Sequence, residues 1–229
     1  MEQTLLSVPA LQIAYFSVLV FALEAKALDV KWLEYSAKPL LMPVLGLLLY
    51  ASPRASSESA FAGPLGPVLV SLVFAWLGDV FLLLDRGFKA GLGAFFLMHC
   101  VYVRLLWSSP RDLVTKPANL VPAILLTIAF FTQYTLVRDN LGPIRPAAVA
   151  YFLAFSLVML LAAVRYIAAP TGDNAALLLG LFLFYVSDSL LALSLFHRDF
   201  SLSGVAVMLT YGLGQYMFLT SFLRSTAQR

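Results

Sequence analysis

The sequence contains few charged residues. Of its 229 residues, 15 are Lys or Arg and 12 are Asp or Glu, so charged residues make up 12% of the chain, while apolar residues make up 61%. Soluble domains usually carry about twice this charged share, and so few charges could not cover the surface of a soluble globule. With a mean hydropathy of +0.89, the composition predicts a polytopic membrane protein and leaves no length for a nucleic-acid-binding module or a separate soluble domain.

Cysteine and histidine are also scarce. Cys100 is the single cysteine, which excludes an intramolecular disulfide framework and a cysteine-based metal cluster. The two histidines are His99 and His197. A zinc site with three protein ligands would need both of them together with a carboxylate, so the sequence argues against a zinc-dependent membrane hydrolase.

Long apolar runs predict the fold class. A helical crossing takes about 20 residues, and the runs bounded by charge, Pro or Gly predict an all-α transmembrane bundle of eight helices in a single domain covering residues 1–229. The predicted spans are 8–25, 33–50, 65–84, 90–108, 118–137, 146–166, 174–196 and 203–223. The first run follows Glu2 and no Lys or Arg, so it is interpreted as a retained span and not as a signal peptide.

The orientation of the bundle does not follow from the charges. Lys and Arg number seven on the side of the loops after spans 1, 3, 5 and 7, which we call the odd side, and six on the other side. The positive-inside rule needs a larger difference. We expect a multi-pass protein of the cell (inner) membrane if the source is bacterial, or of the endoplasmic reticulum if it is eukaryotic.

Two predicted spans resemble each other in sequence. Residues 76–84 of span 3 and residues 185–193 of span 7 each place an aromatic residue three positions before an aspartate, a small residue directly before it and large apolar residues after it. The aspartates are Asp79 and Asp188. Spans 3 and 7 are four crossings apart and run in the same direction, so the two aspartates are expected at one depth. The pattern indicates a possible parallel four-plus-four repeat.

An ionisable side chain in hydrocarbon costs several kcal/mol and is kept where it faces the bundle interior, a partner or a wet cavity. Asp79 and Asp188 are therefore the candidate functional residues, although each could serve only as a hydrogen-bond partner between helices. His99 and Tyr102 share a helix face. So do Tyr211 and Gln215, and these four residues could likewise act as interhelical contacts. Lys38, near the start of span 2, could instead extend to the headgroups.

Five motifs together resemble the lysoplasmalogenase (YhhN-like) family of eight-span membrane proteins. They are Lys38–Pro43, Leu77–Asp79, Phe88–Tyr102, Phe184–Ala192 with its Ser187-Asp188 pair, and Tyr211 with Gln215. The resemblance covers essentially the whole chain. It implies hydrolysis of the vinyl ether bond of lysoplasmalogen, a lysophospholipid, to a fatty aldehyde and a glycerophospho-base, without metal or other cofactor. It further implies that Asp79 and Asp188 are catalytic and that Lys38, His99, Tyr102, Ser187, Tyr211 and Gln215 bind substrate or support the site.

The implied chemistry agrees with the residue types. Vinyl ether cleavage requires a proton on the alkene carbon, stabilisation of an oxocarbenium-like cation and the addition of water, and glycosidases use paired carboxyls for a similar transition state. Two carboxyls in a low-dielectric site cannot both ionise easily, so one is expected to stay protonated while the other is anionic. Because a coupled pair titrates jointly, the sequence does not assign the acid and the base.

Three other functions remain open. A proton-coupled transporter of small molecules or lipids also uses intramembrane aspartates and repeats, although spans 3 and 7 contain only Gly78 as an interruption beside them. An intramembrane aspartyl protease would match the Gly78-Asp79 pair, but Ser187 precedes the other aspartate. A purely structural or interaction protein is the third alternative.

Overall fold

The computed structural model describes residues 7–52, 65–107 and 117–226, and all of the regular elements in these ranges are helical. The predicted all-α fold is therefore confirmed. The α-helices are α1 (Val8–Ala27), α2 (Lys31–Ala37), α3 (Leu41–Tyr50), α4 (Leu65–Leu83), α5 (Phe88–Leu106), α6 (Leu120–Val137), α7 (Arg145–Ala168), α8 (Gly172–Phe196) and α9 (Ser203–Thr226).

In the described residues, seven helices are long and apolar enough to cross a membrane. They correspond to predicted spans 1 and 3–8, and most of their ends lie within a few residues of the prediction. Predicted span 2 (33–50) is not among these seven helices. This segment consists of the short helices α2 and α3, joined by a 3₁₀ turn at Lys38–Leu40. Pro39 causes the break, because proline has no N–H for the helical hydrogen bond and its ring clashes with the preceding turn.

Seven of the helices form a ring, α6 lies outside it, and the short α2 packs against α1. Consecutive neighbours around the ring are α1, α3, α4, α5, α7, α8 and α9, and α9 packs back against α1. Helix α6 packs on the outside against α7 and α8. Only Gln133 and Val137 of α6 are buried, so most of its apolar surface faces outward. The polar residues singled out from the sequence lie mainly in the interior of the ring.

Two tight helix pairs shape the bundle. The most extensive contacts are those of α8 with α9 and of α4 with α5, and glycines lie in both interfaces. A Cβ atom on Gly180 of α8 would lie 2.4 Å from the backbone nitrogen of Phe218 on α9. A Cβ on Gly91 of α5 would lie 3.2 Å from the carbonyl oxygen of Gly78 on α4. Small residues allow such close approach in membranes. In each half, the helix that carries an aspartate therefore packs tightly against the helix that follows it.

A short turn joins α4 to α5 on the odd side of the bundle. A Cβ atom at Gly87 would lie 1.9 Å from the carbonyl oxygen of Phe81, so only glycine fits this turn. The turn fixes the odd-side ends of α4 and α5 next to each other, and these ends contribute to the site described below.

Candidate active site

Asp79 lies inside the ring near the odd-side end of α4. It is 1% exposed. Its Oδ1 atom lies 3.5 Å from Lys38 Nζ, and its Oδ2 atom accepts a hydrogen bond of 2.7 Å from the hydroxyl of Tyr211 on α9. Lys38 and Tyr211, both predicted as site residues, therefore meet at this carboxyl. The lysine supplies the positive charge that a buried carboxylate needs.

Lys38 contacts Asp79 from the 3₁₀ turn that separates α2 from α3. The lysine occupies the C-cap position of α2, and its backbone N–H donates to the carbonyl oxygen of Glu34. The 3₁₀ turn that follows contains Pro39. Lys38 thus stands at the interruption, and its side chain is only 13% exposed. The alternative that Lys38 merely extends to the headgroups is wrong.

Asp188 has a different partner. Its Oδ2 atom accepts a short hydrogen bond from the hydroxyl of Tyr151 on α7. Asp188 forms none of the ion pairs found among the described residues. The ring centroid of Phe95 lies 6.2 Å from that of Tyr211, which binds Asp79, and Phe95 also lines a cavity together with Asp188. The structure therefore combines two carboxyls in one interior region, one with a cation and one with a phenol.

An apolar cavity leads to Asp188. Its volume is about 60 Å³, and it is half-enclosed at the odd-side ends of α4, α5, α7 and α8. Asp188 is the single charged side chain in its described lining. The remaining lining residues are Leu82, Phe88, Leu92, Phe95, Leu141, Ile144, Ala148, Tyr151, Phe152, Leu191, Ala192, Leu195 and Phe196. Asp188 is partly exposed and lines this cavity, whereas Asp79 is buried and is not among the lining residues.

The rings of Phe88 and Phe196 meet at the odd-side end of the cavity. Their centroids are 5.6 Å apart in an edge-to-face arrangement. This pair joins the beginning of α5 to the end of α8. Ala148 and Ala192 also line the cavity, and their small side chains occupy little of it. The cavity is therefore a small apolar space with one carboxyl in its lining.

His99 lies beside the hydrogen-bonded pair of Tyr151 and Asp188, but it forms no hydrogen bond with the carboxyl of Asp79 or of Asp188. Its ring centroid is 4.9 Å from that of Tyr151 and 4.1 Å from that of Phe155. The imidazole is 0% exposed, and neither of its nitrogens has a hydrogen-bond partner in the described part of the chain. Buried polar groups are normally satisfied. An unpaired imidazole next to the site is therefore able to bind water or a polar atom of a substrate.

The other predicted site residues form contacts between helices. The hydroxyl of Tyr102 donates to Gln215 Oε1 at 2.6 Å, and Gln215 Nε2 lies 3.6 Å from Met98 Sδ. Ser187 precedes Asp188 in the chain, but its hydroxyl donates to the carbonyl oxygen of Val207 on α9 at 2.9 Å. The structure does not bring Tyr102, Gln215 or Ser187 into contact with either carboxyl.

Tyr151 was not predicted as a site residue. It is one of ten tyrosines, the one charged residue of predicted span 6 is the distant Arg165, and its partner Asp188 is 37 residues away. A tyrosine hydroxyl in the middle of an apolar run is a weak signal, because the ring also packs well in hydrocarbon. Phe95 was predicted only as one residue of the Phe88–Tyr102 motif. Its ring fills the space over Gly78, where a Cβ would lie 2.6 Å from the ring.

Metal binding has no support in the geometry of the described residues. No group of three or more His, Cys, Asp or Glu side chains is arranged there to hold a metal ion. The site contains the carboxyls of Asp79 and Asp188, with a lysine and two tyrosine hydroxyls around them. Such a set can transfer protons in a medium of low polarity.

Comparison with known proteins gives one match. No curated protein and no solved structure matches the chain. The model of the YhhN family matches residues 33–222, which include both carboxyls, Lys38, His99, Tyr151 and Tyr211. This match extends over most of the transmembrane bundle, and the chain therefore belongs to the YhhN family.

Proposed function

We propose that the protein is a membrane hydrolase that cleaves the vinyl ether bond of lysoplasmalogens to a fatty aldehyde and a glycerophospho-base. One observation carries the proposal. Asp188 lines an apolar cavity, and the second buried carboxyl, Asp79, is bound by Tyr211, whose ring packs against Phe95 of the same lining. An apolar approach to a pair of carboxyls suits an acid-labile bond that is attached to a hydrocarbon chain.

The reaction needs only proton transfers and water. An acid protonates the alkene carbon, a base takes a proton from the attacking water, and the resulting hemiacetal collapses to aldehyde and alcohol. Paired carboxyls perform similar work on glycosides through an oxocarbenium-like transition state. The proposed reaction is therefore within the chemistry of Asp79 and Asp188 and routes no step through a metal.

The rim of the cavity supports a phospholipid substrate in the bilayer. Phe88, Ile144 and Phe196 line the odd-side end, and each is followed within two residues by a cation. These cations are the exposed residues Lys89, Arg145 and Arg198. A single hydrocarbon chain would enter the apolar cavity while the phosphate stays among these charges at the interface. A cavity of about 60 Å³ holds roughly two water molecules, so an entering chain displaces the rings at its mouth.

The test of this proposal is an aldehyde assay on purified protein in detergent. Three lipids with the same headgroup and chain length are compared: a lysoplasmalogen, an ester lysophospholipid and a saturated alkyl-ether lysolipid. We expect aldehyde from the lysoplasmalogen, no fatty acid from the ester and no reaction of the alkyl ether, because only the first has a protonatable alkene. Equal hydrolysis of the ester would contradict vinyl ether chemistry.

One observation favours a second candidate function, a proton-coupled transporter. Helix α2 ends at Ala37 and α3 begins at Leu41, so the interruption carries Lys38 directly to Asp79. Broken helices at an intramembrane charge are common in transporters. The discriminating measurement is uptake into proteoliposomes. Accumulation of a lipid or small molecule that collapses with the proton gradient, without aldehyde release, would favour the transporter.

A further inference from the structure

In each half of the bundle, a residue of the preceding span contacts the aspartate. The two contacting residues differ in chemistry. In the first half, Lys38 lies seven residues after Lys31, the first residue of α2, and it contacts Asp79 on the next span. In the second half, Tyr151 follows the first residue of α7 by six positions and contacts Asp188 on the next span. Predicted spans 2 and 6 thus each supply the partner of the aspartate on the following span. A cation stands in one half where a neutral phenol stands in the other.

The partners set different charge states. Asp79 has the Lys38 ammonium at 3.5 Å and a hydrogen bond from Tyr211, and both stabilise a carboxylate. The Tyr151 hydroxyl donates to Asp188 in the same way, but Asp188 belongs to none of the ion pairs in the described ranges, so the cation is the difference between the two carboxyls. A second carboxylate near Asp79 would add an uncompensated negative charge in a medium of low polarity.

We propose that Asp79 is the ionised base of the site and that Asp188 is its protonated acid, held in position by Tyr151. The catalytic part of this assignment rests on the proposed function. Asp188 lines the apolar cavity, so it is the carboxyl that meets an entering hydrocarbon chain. Asp79 is buried beside Lys38 and receives protons there. Tyr151 is a positioning residue because it acts through Asp188.

The proton balance of the cycle closes with these two carboxyls. Asp188 gives its proton to the alkene carbon remote from the ether oxygen, and the alkene electron pair forms the new C–H bond. Water adds to the resulting oxocarbenium carbon and loses a proton to Asp79. Asp79 then returns that proton to the glycerol oxygen as the C–O bond of the hemiacetal breaks, and Asp188 takes the hemiacetal hydroxyl proton. Both residues recover their starting states.

Infrared spectroscopy of the purified protein tests the charge assignment without any substrate. A protonated carboxylic acid has a C=O stretching band apart from the carboxylate bands, and ¹³C labelling of the aspartate carboxyls identifies it. At neutral pH we expect one protonated aspartate in the wild type, its loss in Asp188→Asn and its retention in Asp79→Asn. A band that is absent from the wild type, or is lost in Asp79→Asn and kept in Asp188→Asn, would overturn the assignment.

Two further variants keep the test decisive if either asparagine variant fails to fold. Tyr151→Phe should retain the band but shift it, because the hydroxyl no longer donates to Asp188. Lys38→Met should add a second band, because Asp79 loses its cation. An unshifted band in Tyr151→Phe, or a single unchanged band in Lys38→Met, would contradict the respective contact. If the expected bands appear but no vinyl ether is cleaved, the charge assignment holds and the proposed function fails.

The role of Tyr151 in catalysis has its own readout. In the aldehyde assay, Tyr151→Phe should lower kcat about tenfold or more, as expected for a misplaced general acid, with KM changed less than about twofold. The matched control is Tyr166→Phe on the same helix, where the tyrosine lies on the surface and outside the site, and it should leave both constants unchanged. A rise in KM with unchanged kcat in Tyr151→Phe would contradict the positioning role.

Discussion

Lys38 Nζ lies 3.5 Å from Asp79 Oδ1 inside the ring of helices, and the lysine is carried there by the break between α2 and α3. A buried ion pair is sensitive to the loss of one member because the remaining charge has no partner. Asp188 depends instead on a hydrogen bond from Tyr151. The two aspartates therefore differ in their effect on stability as well as in their proposed chemistry.

The first prediction concerns the stability of the two asparagine variants. Asp79→Asn should destabilise the protein by about 3 kcal/mol, because it leaves the Lys38 charge unpaired. Asp188→Asn should cost about 1 kcal/mol or less, because an amide oxygen still accepts from Tyr151. Thermal unfolding in detergent measures both. The double variant Lys38→Met with Asp79→Asn should recover part of the loss. Equal losses in the two single variants would contradict the difference in pairing.

The second prediction concerns the tight pair of helices α8 and α9. Gly180→Ala places a Cβ atom 2.4 Å from the backbone nitrogen of Phe218, so the helices must separate. We expect a loss of about 3 kcal/mol, at the upper end of the usual range for overpacking. Gly93→Ala is the matched control, because nothing lies within 4 Å of a Cβ atom there. A thermal midpoint for Gly180→Ala equal to that of Gly93→Ala would show that the helices do not approach as described.

The third prediction concerns the unpaired imidazole of His99. An unsatisfied buried polar group costs roughly 1–3 kcal/mol, so His99→Phe should leave the thermal midpoint unchanged or raise it. Its aldehyde release should nevertheless fall about tenfold or more if the imidazole binds the attacking water. Stability and turnover are measured on the same preparation. Unchanged turnover in a stable His99→Phe variant would restrict His99 to packing against Phe155 and Phe184.

The fourth prediction concerns the room in the apolar cavity. Ala192 lines the cavity one helical turn from Asp188, and Ala192→Leu fills the space that the proposed substrate chain would occupy. We expect KM for lysoplasmalogen to rise about tenfold, with a smaller effect on shorter chains. Ala90→Leu, at an exposed position of α5, is the control and should behave as the wild type. Chain-length dependence that is the same in Ala192→Leu and in the wild type would exclude this cavity as the route of the chain.

Much of the fold could be predicted because a membrane makes hydrophobicity a direct signal. Apolar runs of about 20 residues predicted seven of the long helices, and the rarity of charge made Asp79 and Asp188 visible. The 3₁₀ turn at Lys38–Leu40 was missed because the predicted span 33–50 is apolar on average, and its mean hydropathy does not record a change of helix. The proline itself was the available signal.

The partners of the carboxyls could not be predicted in the same way. Tyr211 reaches Asp79 across 132 residues and Tyr102 reaches Gln215 across 113. Such pairs depend on which helices become neighbours, and hydropathy says nothing about the order of helices in a bundle. Tyr151 shows the same limit, since only the contact of α7 with α8 gives it a role.

Incorporation of deuterium from solvent tests the central claim, vinyl ether cleavage by the Asp79–Asp188 pair, most directly. Purified protein is incubated with lysoplasmalogen in D₂O in the presence of a chelator, and the aldehyde is reduced at once to the alcohol to prevent exchange. Mass spectrometry should show one deuterium on the carbon next to the former carbonyl, and the product should be absent with Asp188→Asn. Absence of aldehyde from the wild type, or equal labelled product from a folded Asp188→Asn variant, would contradict the account.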